Sequence, residues 1–232
     1  MTIASFVETI DGVAAIPSLP RSHAVIADES DADRFVLALL RACADAVVVG
    51  AGTLRASPAG SWRADRPYPA VADALRELRR RRGQPEHPAV AIVTSRGSLD
   101  PSYPVLERGA LVLTTERSAT RLRASLPAAA EVVAVSAGDV VDPADALAVL
   151  RGRGHEILLS EGGPTLLGAL LGRRLVDELF LTLSPLLAGR GEAQRLSLVE
   201  GAELLPGARL AGRLVSVRRS GDHLFLRYRL GQ

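Results

Sequence analysis

The stretch Val47-Val48-Val49-Gly50-Ala51-Gly52-Thr53-Leu54-Arg55 decides the fold class. A short, wholly aliphatic run meets two glycines and then residues with helical spacing. Strands buried on both faces read as continuous apolar runs, and such strands belong to parallel sheets covered by helices. A second stretch, Ile157-Leu158-Leu159-Ser160-Glu161-Gly162-Gly163-Pro164-Thr165, repeats the pattern. There Pro164 suits the first turn of a helix, where a missing N–H costs nothing. Two strand-to-helix turns of this kind are expected side by side at the carboxyl ends of strands, where open α/β sheets bind ligands.

Working outward, strands are expected at residues 3–7, 46–49, 89–94, 110–114, 131–135 and 156–159. Helices are expected at 31–43, opened by Ser30 or Asp31 as a cap, and at 70–82, 117–124 and 143–151. Residues 13–27 and 57–69 read as loops. Residues 175–183 form a further apolar strand, and 208–218 and 223–230 alternate around Ser220-Gly221-Asp222, a hairpin signal. The fold class is therefore α/β, with a mixed, mostly parallel sheet, helices on both faces and a C-terminal antiparallel hairpin. Nothing divides the chain, so residues 1–232 are read as one domain.

Composition excludes several chemistries. The chain has 232 residues, and all 28 of its basic Lys/Arg residues are arginine. Without lysine there is no internal Schiff base and no phosphate-loop lysine. Cys43 is the single cysteine, which excludes internal disulfides and cysteine-cluster metal sites. The four histidines (His23, His87, His155 and His223) have no ligand-like spacing, so no metal is expected. The net charge is only +2 and aromatics make up 3%, which argues against nucleic-acid binding. No apolar run reaches membrane-spanning length and no basic-then-apolar leader opens the chain, so the expectation is a cytoplasmic protein with no membrane partner.

The glycine turns fit an anionic ligand, because glycine permits close approach and helix N–H groups favour phosphate. Thr53 can cap a helix or donate to a phosphate oxygen; a plain tight turn explains Gly50 and Gly52 equally well. Thr94-Ser95-Arg96 at a strand end offers two hydroxyls and a guanidinium for a phosphate, with a polar surface turn as the simpler account. Glu161 would repel phosphate, so it suits a substrate hydroxyl or amine, or else the helix dipole. Residues 79–82 read as a solvated arginine-rich helix end, and Trp62 as a loop anchor or a stacking ring.

Taken in order, Thr9-Ile10-Asp11-Gly12, Leu39-Leu40-Arg41-Ala42, the first glycine turn, Thr94-Ser95, Ser160 to Leu166, residues 175–179 and residues 224–228 resemble a known pattern. It is that of the reductase domain of riboflavin-biosynthesis deaminase–reductases, within the dihydrofolate reductase-like superfamily. The resemblance implies a three-layer fold, often a homodimer, and NADPH-dependent reduction of 5-amino-6-(5-phosphoribosylamino)uracil, with hydride delivered to the ribose C1′. It assigns Gly50, Gly52, Thr53, Thr94, Ser95, Arg96, Gly162, Gly163, Pro164, Thr165 and Leu166 to the cofactor. It assigns Asp11, Arg41 and Glu161 to the small-molecule substrate, with Glu161 as the catalytic residue and Arg41 suited to the substrate's phosphate. Bifunctional members often carry a strand-one lysine, where this chain has Ala4-Ser5-Phe6-Val7. They also carry an acidic residue where this chain reads Arg55-Ala56-Ser57-Pro58. The deaminase signatures H-x-E and P-C-x-x-C are lacking. A dihydrofolate reductase-type enzyme, a related reductase of another small substrate, and a nucleotide-binding module without turnover stand as alternatives.

Overall fold

The computed structural model describes residues 1–231. Among them nine strands form a single sheet in the order β5-β4-β3-β2-β6-β1-β7-β9-β8. The strands are β1 (Thr2–Glu8), β2 (Ala46–Gly50), β3 (Ala89–Thr94), β4 (Leu111–Thr115), β5 (Glu131–Ser136), β6 (Leu158–Ser160), β7 (Glu178–Leu183), β8 (Gly212–Ser220) and β9 (His223–Leu230). Strands β1 to β7 pair in parallel throughout, and β9 enters antiparallel to β7 and to β8. The mixed, mostly parallel α/β sheet read from the sequence is the observed one.

The period of two along each strand splits the aliphatic runs between two cores. Ala46, Val48, Leu111, Leu113 and Leu158 face α7 (Pro143–Gly152) and α8 (Pro164–Gly172). Val47, Val49, Val112 and Leu159 face the other layer. That layer holds α2 (Asp31–Cys43), α3 (Ala51–Ala56), α5 (Pro104–Glu107) and α6 (Glu116–Ser125). Trp62 is 4% exposed and packs into this second core, so it anchors its loop. The helix α4 (Ala72–Arg81) lies outside α2, joined through Ala38, Ala42, Ala64 and Leu75.

Several boundaries differ from the sequence reading. The expected loop 13–27 contains a short helix, α1 (Ser22–Ile26), and α5 was not anticipated. Both have five residues or fewer, too short to show a period. The strand expected at 175–183 begins at Glu178, because Leu175 still closes α8 through its N–H to the Leu170 carbonyl. The strand expected at 208–218 runs from Gly212 to Ser220.

The arginine run is also different. Arg79 is fully buried rather than solvated. Its Nη1 donates to the carbonyls of Arg41, Ala42 and Ala44 at 3.2, 3.1 and 2.7 Å, and its Nε to the Pro85 carbonyl at 2.7 Å. It thus satisfies the orphan carbonyls at the end of α2, a role that needs the reach and several donors of a guanidinium.

Gly168, inside α8, illustrates a packing constraint. A Cβ there would lie 2.1 Å from the Glu200 carbonyl oxygen of the long segment between β7 and β8. Gly168→Ala should therefore destabilise the protein by about 1–3 kcal/mol, although alanine is the better helix former by about 1 kcal/mol. Chemical denaturation would measure the sign; a stabilised variant would show that the segment is free to move away.

Candidate active site

Strand β6 lies between β1 and β2, and its pairing aligns the two glycine turns. Val48 pairs with Ser160, and the Glu161 N–H donates to the Val48 carbonyl at 3.0 Å. Gly50 then caps α3 and Gly163 caps α8, each in an extended conformation and neither helix start carrying a side-chain cap. A Cβ placed on Gly50 would be 3.9 Å from Leu166 Cβ, and one on Gly163 would be 3.8 Å from Thr53 Oγ1. The structure thus brings Gly50, Thr53, Gly163 and Leu166 into one cradle, with Gly52, Pro164 and Thr165 in the same helical turns.

The two glycines of the second turn have different reasons. A Cβ at Gly162 would meet Leu166 Cδ2 at 2.4 Å, so Gly162 is required by packing within its own turn. Gly163 is under no such pressure, since a Cβ there would meet only Thr53 Oγ1, at an ordinary contact distance.

Thr94, Ser95 and Arg96 stand at the end of β3, which flanks β2 on the side away from β6. The Thr94 hydroxyl accepts from the Gly97 N–H at 3.1 Å, and the Ser95 hydroxyl from the Val141 N–H at 3.0 Å. The Arg96 side chain is exposed. Along the carboxyl edge the three groups of sequence-predicted cofactor residues therefore lie on consecutive strands, β3, β2 and β6.

Arg41 and Glu161 are 120 residues apart in sequence and form a buried pair. Arg41 Nε and Nη2 donate to the two Glu161 carboxylate oxygens at 2.7 and 2.6 Å, and Nη1 donates to the Arg63 carbonyl at 3.3 Å. The side chains are 11% and 9% exposed. Asp11 sits apart from them. Its carboxylate accepts from the backbone N–H groups of Ala188 and Gly189 at 3.0 and 2.8 Å, and from the Thr9 hydroxyl. Those bonds hold its pKa down at about 2 and strap the loop after β1 to the loop after β7.

Two further titratable residues feel the charge of Glu161. Asp33, in the first turn of α2, has a half-buried carboxyl hydrogen-bonded by Thr182 of β7, with His223, Arg34 and Glu161 around it. Burial pushes its pKa up. His23, on α1, has Glu161, Arg21 and Arg41 as its charged neighbours, and desolvation by the surrounding protein lowers its pKa. Its side chain nevertheless reaches solvent. Position 33 was legible only as an acidic residue in a helix's first turn, and His23 carried no sequence signal at all. Among the described residues no group of three or more His, Cys, Asp or Glu side chains is placed to hold a metal ion. No helix among them is long and apolar enough to cross a membrane.

A family model described as the RibD C-terminal domain matches residues 1–226. The chain belongs to the RibD C-terminal domain family. As a RibD-type domain it is 32% identical over 152 residues to the 2,5-diamino-6-ribosylamino-4(3H)-pyrimidinone 5′-phosphate reductase of Archaeoglobus fulgidus. That match covers 65% of this chain and 66% of the relative, just under two thirds of its length. A pyrimidine reductase-like protein from Corynebacterium diphtheriae has the same fold, with a TM-score of 0.78 at 23% identity over 100% of this chain and 92% of that one. Acinetobacter baumannii RibD matches with a TM-score of 0.74 at 20% identity, over 100% of this chain but 58% of its own.

Asp33 offers a test of how burial and hydrogen bonding balance beside Glu161. Because its folded-state pKa is raised, the native state holds the proton more tightly than the unfolded chain, so its ionisation opposes folding as pH rises. Asp33→Asn should therefore raise the melting temperature at pH 7.5, and the gain should shrink as pH falls and vanish well below pH 3.8, where the acid is neutral in both states. A lower melting temperature at pH 7.5 would mean that the Thr182 bond and the nearby cations outweigh desolvation.

Proposed function

We propose that this RibD-type domain is a nicotinamide-dependent reductase, with NADPH as the cofactor and a ribosylamino-pyrimidine 5′-phosphate of riboflavin synthesis as the substrate. The observation that carries the reading is the apposition of the two glycine turns at the carboxyl edge, with the buried Glu161 at their junction. Family membership and the reductase name of the archaeal relative support it.

The residues fit such a cofactor. The N-terminus of α8, with Gly163 extended and uncapped, turns N–H groups and the positive end of the helix dipole toward an anion. Thr53 adds a hydroxyl on the facing helix. The Thr94 and Ser95 hydroxyls serve as acceptors in their turns, which leaves their own protons for a phosphate oxygen, and Arg96 supplies an exposed guanidinium for a 2′-phosphate. When bound, the reduced nicotinamide supplies the hydride that converts the cyclic sugar at C1′ into an open ribityl chain.

The chain's part in that reaction is positioning and charge. Glu161, paired with Arg41, offers carboxylate oxygens to a ribose hydroxyl or to the amine on C1′ and so orients the sugar. Asp11 shapes the substrate side by strapping two loops together. The same reading includes a cytoplasmic homodimer, for which the exposed Leu214 and Val217 on edge strand β8 offer an apolar face.

Gly163→Val tests the cradle. The position has an extended backbone, and its Cβ would meet only Thr53 at an ordinary contact distance, so the variant should fold with its melting temperature nearly unchanged. Its NADPH affinity should fall at least about tenfold, because the branched side chain occupies the ligand's space. The unaltered protein at about 100 times the Kd of NADPH should gain roughly 2.7 kcal/mol in a thermal-shift experiment. Equal affinity in variant and parent would place the pyrophosphate elsewhere.

A further inference from the structure

The resemblance gives Arg41 to the phosphate of the substrate, but three of its five N–H donors are already committed. The Nε–Nη2 edge of the guanidinium, one of the two edges that can grip an oxyanion in bidentate fashion, is matched to Glu161 at 2.7 and 2.6 Å. Nη1 is held by the Arg63 carbonyl at 3.3 Å. Both side chains are about nine-tenths buried. Turning Arg41 toward a phosphate would leave the Glu161 charge buried without a partner, the costly way to break such a pair. A second anion added to the same guanidinium would also repel the carboxylate.

We propose that Arg41 is the positioning residue of Glu161: it acts on the reaction through that carboxylate and does not carry the phosphate of the substrate. This rests on the reductase reading above. The fork locks the rotamer of Glu161 and keeps it an acceptor, so its remaining lone pairs meet the hydroxyl and amine groups around C1′ in one fixed orientation. A planar fork does this better than an ammonium, whose donors have no matching geometry. The 120-residue separation of the two partners also makes the pair a clamp between the end of α2 and the end of β6, so that orientation of Glu161 is coupled to the sheet itself.

The experiment follows NADPH oxidation with the ribosylamino-pyrimidine 5′-phosphate and with its dephosphorylated nucleoside. It compares the unaltered protein with Arg41→Gln, Arg41→Lys, Glu161→Gln and the double variant Arg41→Gln/Glu161→Gln. A positioning role predicts that Arg41→Gln lowers kcat by about the same factor as Glu161→Gln, on the order of 10²-fold. The double variant should lose no more than either single one, because the two residues act as a unit. The loss should be equal on both substrates, with the KM for the phosphorylated one within about threefold, and Arg41→Lys should recover little. The double variant removes both charges together, so it remains informative even if the buried carboxylate left alone in Arg41→Gln prevents folding. A tenfold or larger rise in KM confined to the phosphorylated substrate, with kcat retained, would put Arg41 on the phosphate and overturn the proposal. Additive losses in the double variant would overturn it as well. Absence of turnover by the unaltered protein with either substrate would overturn the reductase reading, and this role for Arg41 with it.

Discussion

The pairing of β6 between β1 and β2 is the constraint on which the site depends. The strand has three residues, all buried, and each of its neighbours is contributed by a distant part of the chain. A strand so short is held by its neighbours more than by its own propensity, since an isolated pair of strands is marginal in water. Its register sets everything that follows. With Val48 opposite Ser160, the Glu161 N–H closes on the Val48 carbonyl, Gly163 faces Thr53, and the Glu161 carboxylate meets the Arg41 guanidinium. Slipping the register by one residue would send Ser160 and Leu159 to opposite faces and part the two turns.

The all-arginine composition has structural consequences that a charge count hides. Arg79 is buried among three carbonyls at the end of α2, where it does the work of a cap. Arg227 forks onto the buried Glu178 while its guanidinium lies 5.3 Å from the Phe180 ring centroid, fastening the C-terminal hairpin to β7. Arg41 forks onto Glu161. Each use exploits a planar group with several donors that keeps its charge when desolvated, which lysine does not provide. On the first strand Ala4-Ser5-Phe6-Val7 carries no cation, and the strand is flanked by β6 and β7. Arg41 is paired with Glu161, and Arg21 and Arg41 both act on His23.

Much of this was legible beforehand, and for identifiable reasons. The aliphatic runs at β2, β3, β4 and β6 could only be strands buried on both faces. The glycine turns announced themselves because glycine is otherwise wasteful at the start of a helix. Ser30 was readable as a cap, and its hydroxyl accepts from the Asp33 N–H. The short helices α1 and α5 were not readable, since a single turn has no period. Arg79 was misread because a run of four arginines has no internal mark to show which one points inward. Glu161 and Arg41 were both singled out, yet as two separate contacts to a substrate rather than as partners of each other.

The division between sequence and structure follows from the range of the forces. By itself the sequence determined what depends on neighbours in the chain: strand and helix periods, helix caps, the hairpin turn at Gly221, and the absence of amine and thiol chemistry. Only the tertiary structure decided which glycine is pressed against its own helix, which arginine is buried, and that Arg41 and Glu161 are partners. Those outcomes depend on the β2–β6 register and on where the segment after β7 folds back over α8. Burial, pairing of charges and displaced pKa values are properties of contacts between residues distant in sequence, from 35 residues for Arg79 with Ala44 to 120 for Arg41 with Glu161, and no local pattern encodes them.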